Sequence, residues 1–260
     1  MSDPFDIGGR IVVVTGARGR LGRRFTQALT ERGARVAALD LVSGEPASGV
    51  LDVRADVTDR ASLEAALRRI ESEWGAPQAL VNNAGIDAPP DAPAEENGPF
   101  ETYPETSWER VMSVNATGPM LCCQVFGGAM ARAGGGSIVN IGSIYGLVSP
   151  DQRFYEHRRR AGAAFFKPIA YTASKAALVG MTRYLATYFA PSGVRVNALT
   201  FGGVLAGQDE EFQKAYCARV PLGRLAREED TVGPLLFLVS DAASYVTGAN
   251  LVVDGGFTAW

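Results

Sequence analysis

A tyrosine and a lysine stand four residues apart in Tyr171-Thr-Ala-Ser-Lys175. Four residues is about one helical turn, so on a helix both side chains leave the same face. A phenol ionises near pH 10, and bringing that value near 7 takes roughly 4 kcal/mol. One cation about 4 Å away supplies roughly that much at an effective dielectric of about 20. Such a pair is a general acid/base. The chain writes its positive charge as 22 arginines and only three lysines, Lys167, Lys175 and Lys214, so a lysine at this spacing stands out. The spacing alone also fits a helix that exposes both side chains.

The 260 residues suit one large domain, and no linker or internal repeat divides them; a single domain over 1–260 is expected. Apolar content of 47% is ordinary for a packed core, and the formal net charge of -3 gives no reason to expect nucleic acid or a membrane surface as partner. No apolar run approaches the roughly 20 residues of a membrane span. The start, Met-Ser-Asp-Pro-Phe-Asp, is not a secretory signal, so a cytoplasmic protein is expected. Cys122, Cys123 and Cys217 with the single His157 form no metal-ligand spacing, and no metal is expected. The two adjacent cysteines read as packing residues.

The elements that would position the pair follow from periodicity. Arg10 to Thr15 is a β-branched run that stops at a glycine turn, the mark of a strand buried on both faces. A helix follows over Arg20 to Arg32, and Gly33 ends it. Further strands are predicted at Arg35 to Leu39, Gln78 to Val81, Ser137 to Ile141, Val194 to Leu199 and Leu251 to Val253. Helices are predicted over Ala61–Trp74, Ser107–Ala131, Ala170–Phe189 and Glu228–Ser240. This alternation implies an α/β fold, a single doubly wound parallel sheet with helices on both faces. Two stretches break the rhythm: Asp87 to Pro104, rich in proline and acid, and Tyr145 to Pro168, rich in aromatic and basic residues. Both follow strand C-termini, where such sheets bind ligands.

The first strand runs into Thr15-Gly16-Ala17-Arg18-Gly19-Arg20-Leu21-Gly22. Glycines at a strand-to-helix turn let the backbone approach a pyrophosphate, and the helix N-terminus offers it free amides. Asp40 closes the second strand about 20 residues on, where a carboxylate accepts from the adenosine ribose and repels a 2'-phosphate. Arg18 and Arg20 argue the other way, because guanidinium groups hold a phosphate well. A carboxylate beside a 2'-phosphate outweighs a mobile surface arginine, so NAD is expected over NADP.

With these residues placed, the chain resembles the short-chain dehydrogenase/reductase family over Val12 to Gly256. Eight motifs occur in order: the glycine turn, Ala55-Asp56-Val57, Asn82-Asn83-Ala84-Gly85, Val114-Asn115, Ile138 to Ser143, Tyr171-xxx-Lys175, Arg195-Val-Asn197-Ala, and Val253-Asp254-Gly255-Gly256. The resemblance implies a Rossmann-fold oxidoreductase that moves a hydride between nicotinamide and a secondary alcohol or ketone. It implies that Tyr171 exchanges a proton with the substrate oxygen and that Ser143 bonds the same oxygen. Lys175 would lower the phenol's ionisation and hydrogen-bond the nicotinamide ribose. Asn115 would bend the long helix and hold a water linking Lys175 to solvent. Asp56 and Val57 would contact adenine, and Asn82, Asn83, Ala84 and Gly85 would line the ribose side. Family members commonly form tetramers through two long helices and the last strand, so a homotetramer or dimer is expected, with the apolar Phe257-Thr-Ala-Trp260 ending at an interface.

Three places depart from the family pattern. Arg20 takes the position of the turn's middle glycine. The turn after the fifth strand, usually Pro-Gly, reads Phe201-Gly202-Gly203-Val204, where by the resemblance Gly202 and Val204 would still offer backbone to the carboxamide. Ser143 and Tyr171 are 28 residues apart against a family norm of about a dozen, so the loop at about 145–168 carries an insertion. Arg153 and Tyr155 lie near its start and are the expected substrate contacts; the Arg158-Arg159-Arg160 run fits a solvated loop or subunit contact as well. Guanidinium and phenol groups suit a sugar, sugar acid or sugar phosphate. Ser149 to Glu156 and the ending Asp254 to Trp260 resemble a subgroup linked to nonulosonic acid synthesis for bacterial surfaces. The competing enzyme reading is an NADPH-dependent 3-oxoacyl-thioester reductase; the competing non-enzyme reading is a dinucleotide-binding regulator without catalysis.

Overall fold

The six β-branched and alanine-rich runs expected as strands, with one further edge strand, form a seven-stranded sheet, all of it parallel, in the computed structural model, which describes residues 3–45, 47–87, 93–162 and 164–260. Its strands are β1 (Ile11–Thr15), β2 (Arg35–Asp40), β3 (Val50–Arg54), β4 (Ala79–Asn82), β5 (Gly136–Ser143), β6 (Val194–Phe201) and β7 (Asn250–Val253). They lie in the order β3-β2-β1-β4-β5-β6-β7. The order reverses between β1 and β4, which opens a crevice at their carboxyl ends.

Period-2 alternation sends each strand's side chains to opposite layers. Ile11 and Val13 of β1 pack on one face with Leu80, Ile138 and Val196. That layer is closed by α2 (Arg60–Glu73), by the long helix α3 over 105–132, and by the C-terminal part of α5 (Ile169–Phe189). Val12 and Val14 face the other way, onto Phe25 and Leu29 of α1 (Arg20–Glu31) and Leu235 and Leu238 of α7 (Val232–Val239). The doubly wound reading thus holds. Cys122 and Cys123 are fully buried in the first layer, as packing residues are.

Two elements had no clear sequence signal. Edge strand β3 carries Asp52 and Arg54 and is only half-buried, so it shows no apolar run. Helix α6 (Glu210–Cys217) fully buries only Tyr216 of its eight residues; its start is fixed by the Asp209 carboxylate, which accepts from the Phe212 amide at 2.8 Å. The inserted segment folds into short helical turns, Gln152–Tyr155 and α4 (Glu156–Arg160). Its Phe154, Tyr155 and Phe165 join Tyr145, Tyr216 and Phe257 in a third, aromatic cluster beyond the sheet's edge. Of the Asp87–Pro104 stretch, residues 88–92 lie outside the described residues, as does Ala163 of the insertion. Among the described residues no helix is long and apolar enough to cross a membrane, and no group of three His, Cys, Asp or Glu could hold a metal ion.

Candidate active site at the carboxyl edge of the sheet

The glycine turn after β1 is shaped by backbone contacts. Gly16 sits at φ 61°, and a Cβ there would lie 2.7 Å from the Ala84 Cα. A Cβ on Gly22 would lie 2.0 Å from the Gly16 carbonyl oxygen, so helix and turn touch with nothing between them. Gly19 precedes α1 without a side-chain cap, which leaves amides free for an anion. Asn83 holds the turn from β4: its Nδ2 donates to the carbonyls of Thr15 and Gly16, both at 3.0 Å. The Thr15 hydroxyl accepts from the amides of Asn83 at 3.1 Å and Ala84 at 3.0 Å. This cradle and its free helix N-terminus fit a dinucleotide pyrophosphate.

Asp40 closes β2, and its carboxylate accepts from the amides of Arg18 and Leu41, both at 2.8 Å. The Arg18 guanidinium turns to Asp52 on β3. A Cβ on Gly44 would fall 1.8 Å from the Arg18 Cζ, so the guanidinium lies against bare backbone. Arg20 reaches across the crevice and donates to the carbonyl of Leu205, tying the turn after β1 to the one after β6. Asp56 folds its carboxylate into its own turn, accepting from the amide and hydroxyl of Thr58 at 2.8 and 2.7 Å. Val57 packs against Gly118, where a Cβ would lie 2.9 Å from the Val57 Cγ2.

From Arg20 and Leu21 a cavity of about 570 Å³ runs along the sheet's edge past Gly85, Ser143, Tyr171, Lys175, Gly202 and Val204. Ser143 ends β5, and its hydroxyl lines the cavity together with the Tyr171 phenol, whose ionisation it favours. Tyr171 and Lys175 leave the same face of α5, with the Lys175 Nζ 5.7 Å from the centroid of the tyrosine ring. Lys175 is 6% exposed and donates to the Ile141 carbonyl at 2.9 Å. Burial pushes its ammonium down to about 8, while the nearby Asp87 acts the other way. Burial and then the charge of Asp87 push the phenol of Tyr171 well above its ordinary value, and the Ser143 hydroxyl opposes them without prevailing. In this structure the Lys175 ammonium is aimed at the Ile141 carbonyl, and the Asp87 carboxylate lines the same cavity as the phenol.

Asn115 is fully buried inside α3, in a π-helical turn over Ser113–Thr117, a local widening of the helix of the kind found at functional sites. Its Oδ1 accepts from the Ile86 amide at 2.8 Å; its Nδ2 donates to the Ile86 carbonyl at 2.8 Å and to the Ser174 hydroxyl at 3.1 Å. It thereby pins the segment after β4 beneath Lys175. Asn82 instead turns into the core, donating to the Asn140 Oδ1 at 2.8 Å.

The insertion does wall the cavity, but not through both expected residues. Tyr155 is a lining residue. Arg153 is not: its side chain is 79% exposed and pairs with Asp151 at 2.7 Å, because the local turn faces solvent. Arg158 lines the cavity in its place, pairs with Asp209 at 2.8 Å and lies over the Phe165 ring at 4.8 Å. Arg159 donates to backbone carbonyls of the insertion, and Arg160 pairs with Glu156 at 2.7 Å. Lys167 and Asp87 also line the cavity, with no individual role foreseen for either, and they form an ion pair. The one available signal was that Lys167 is among only three lysines.

A family model described as enoyl-(acyl carrier protein) reductase matches residues 16–258. The chain is 37% identical to a cis-4-hydroxycyclohexanecarboxylate dehydrogenase of Sinomonas cyclohexanicum, over 96% of this chain and 97% of that protein. It is 34% identical to an NAD-dependent glycerol dehydrogenase of Listeria innocua, over 98% and 96% of the two chains. Among solved structures, a short-chain dehydrogenase of Leptospira borgpetersenii with bound NAD+ superposes with a TM-score of 0.88 at 32% identity, covering 99% of this chain and 96% of that one.

Proposed function

The chain belongs to the short-chain dehydrogenase/reductase family, and from that premise we propose that it oxidises a secondary alcohol of a polyol or hydroxylated ring, or reduces the matching ketone, with NAD as its dinucleotide. The observation that carries this reading is the Tyr171 phenol, sharing the cavity wall with Ser143 and one helical turn from buried Lys175.

When bound, a nicotinamide dinucleotide supplies the hydride acceptor or donor. The chain's residues do the rest. The glycine turn from Gly16 through Gly19 to Gly22, with Arg20 and Leu21, receives the pyrophosphate, and Asp40 meets the adenosine ribose. Asp56 and Val57 border the adenine end, while Asn83, Ala84 and Gly85 shape the ribose side. Gly202 and Val204 offer backbone at the nicotinamide end. Ser143 fixes the substrate oxygen, and Tyr171 takes the alcohol proton as phenolate or returns it as phenol. Lys175 stabilises that phenolate, and Asn115 keeps the floor beneath it in place.

Preference for NAD is supported at two points. The Asp40 carboxylate stands where a 2'-phosphate would bring a second negative charge, and Arg18 is engaged by Asp52. The substrate half supports a neutral hydroxylated molecule over a sugar phosphate, since Lys167 and Arg158 each already face a carboxylate. The enoyl-reductase description of the matching family keeps a thioester substrate as a second reading. Polyols, hydroxycyclohexanes and acetoacetyl thioesters, each offered with both dinucleotides, separate the two. Turnover of thioesters with NADPH alone would overturn the proposal.

Self-association, as a tetramer or dimer of one-domain subunits, is part of the same proposal. Tyr184 and Tyr188 on α5 are 68% and 64% exposed, and Trp108 and Met120 on α3 are also exposed. A monodisperse monomer by light scattering at micromolar concentration would exclude it.

A further inference from the structure

Two of the chain's three lysines meet one phenol. The Lys167 Nζ stands 4.7 Å from the centroid of the Tyr171 ring, nearer than the 5.7 Å of Lys175, and 6.0 Å from that of Tyr145. Its side chain is only 13% exposed, and its ion-pair partner is Asp87, on the segment after β4.

The insertion is built to hold that lysine. The Lys167 amide donates to the Gln152 Oε1 at 2.9 Å, and the Gln152 Nε2 donates back to the Lys167 carbonyl at 3.3 Å. Arg159 donates to the carbonyls of Phe165 and Gln152, both at 2.9 Å, and stacks 5.0 Å from the Phe166 ring. The Phe166 amide donates to the Asn97 carbonyl at 2.7 Å. Residues 165–167 are therefore tied on both sides before Pro168 leads into α5. The basic run is largely a frame, and the cation it delivers to the phenol is Lys167.

We infer that Lys167 is a second positioning cation of the proton-transfer site, which offsets the Asp87 carboxylate facing Tyr171 and so sets the pH range in which the enzyme turns over. This rests on the acid/base role proposed for Tyr171. Among the described residues, the groups facing that phenol are Asp87 from the segment after β4, Lys167 from the insertion, Lys175 from α5, Ser143 from β5, and the phenols of Tyr145 and Tyr155. Burial pushes both of those phenols up, so they stay neutral in the working range. Across the cavity Arg158 and Asp209 pair with one another. Asp87 is thus the carboxylate that opposes ionisation of Tyr171, and Lys167 is the cation paired with it.

The test is the pH profile of kcat/KM for alcohol oxidation by Lys167→Met, Lys167→Arg, Asp87→Asn and the double variant Lys167→Met/Asp87→Asn. Oxidation needs the phenolate, so the rate rises with pH through the value of Tyr171. Lys167→Met should move that limb to higher pH by about one unit, and Asp87→Asn to lower pH by about one unit, as expected for a charge within roughly 4–6 Å. Lys167→Arg should stay near the wild type, and the double variant should fall between the single ones. Phenolate absorbance at 295 nm, differenced against the Tyr171→Phe form of each protein, reads the same shifts without any substrate. Limbs and titrations that coincide for all variants, with any loss of rate uniform across pH, would reduce Lys167 to a tether and overturn the inference. If Lys167→Met fails to fold by circular dichroism, Asp87→Asn carries the test alone, in the opposite direction. A wild type that binds the dinucleotide but oxidises no alcohol would break the proposed function, while the absorbance titration would still decide the charge effect.

Discussion

At the β1–β3 end of the crevice, apart from the Arg18–Asp52 pair, the key polar side chains answer to backbone. Asp40 accepts two amides, Asn83 donates to two carbonyls, and Thr15 receives two amides. At the insertion end, side chains answer to other side chains far along the chain. Lys167 meets Asp87 across 80 positions, and Arg158 meets Asp209 across 51. A backbone-tied end presents one shape, suited to a dinucleotide. An end held by ion pairs can change its charges while the sheet beneath it stays the same, which suits the selection of a substrate. Tyr171 stands where the two meet, beside Ser143 of β5 and overlain by the insertion's lysine.

The largest effect should come at that meeting point. Tyr171→Phe removes the proton carrier and leaves the cradle intact, so kcat should fall by about 10²–10⁴. NADH affinity, by fluorescence titration, should stay within about three-fold. A variant keeping a tenth of wild-type turnover would move the chemistry elsewhere in the cavity.

Next comes the backbone-tied end. Gly22→Ala places a methyl 2.0 Å from a carbonyl oxygen that cannot swing aside as a side chain would. The turn must open, so NADH binding should weaken by about ten-fold or more, with a stability loss of about 1–3 kcal/mol. Binding unchanged in Gly22→Ala would show that the turn is softer than its contacts imply.

Legibility in the sequence divides along the same line. Gly16, Gly22, Asp40 and the Tyr171–Lys175 spacing could be read directly, because their chemistry is local: a turn, a strand end, one helical turn. The sheet was legible for the same reason, since Ile11–Thr15 and Ala79–Asn82 are apolar on both faces. Edge strand β3 was not, because exposure on its outer side removes the pattern. Lys167 and Arg158 could not be assigned, because their partners Asp87 and Asp209 are set by folding and not by spacing. Arg153 falls outside the cavity lining for the same reason: nearness to Ser143 in sequence does not decide which side of a turn faces the cavity.

Asp40→Ala sharpens the comparison at smaller scale. It removes a carboxylate from the ribose end while Asp52 still engages Arg18. The ratio of kcat/KM for NAD to that for NADP should fall about ten-fold, chiefly through the KM of NADP. If the ratio holds, the pairing of Arg18 with Asp52 carries the preference instead.

The smallest effect should come from Arg153→Ala. Asp151 already accepts from Arg219 at 3.3 Å as well as from Arg153, so removing the exposed guanidinium leaves that carboxylate paired. The Arg153 amide keeps its own bond to Asp151 at 3.0 Å, so the turn that starts the insertion is retained. Substitution of an exposed side chain away from core and site leaves both nearly unchanged. Within about two-fold, kcat/KM should match the wild type for every alcohol on the panel. A ten-fold loss confined to one substrate would mean that a bound molecule reaches past Tyr155 to the solvent side of the Asp151 turn, and that the substrate-selecting region extends beyond the aromatic wall.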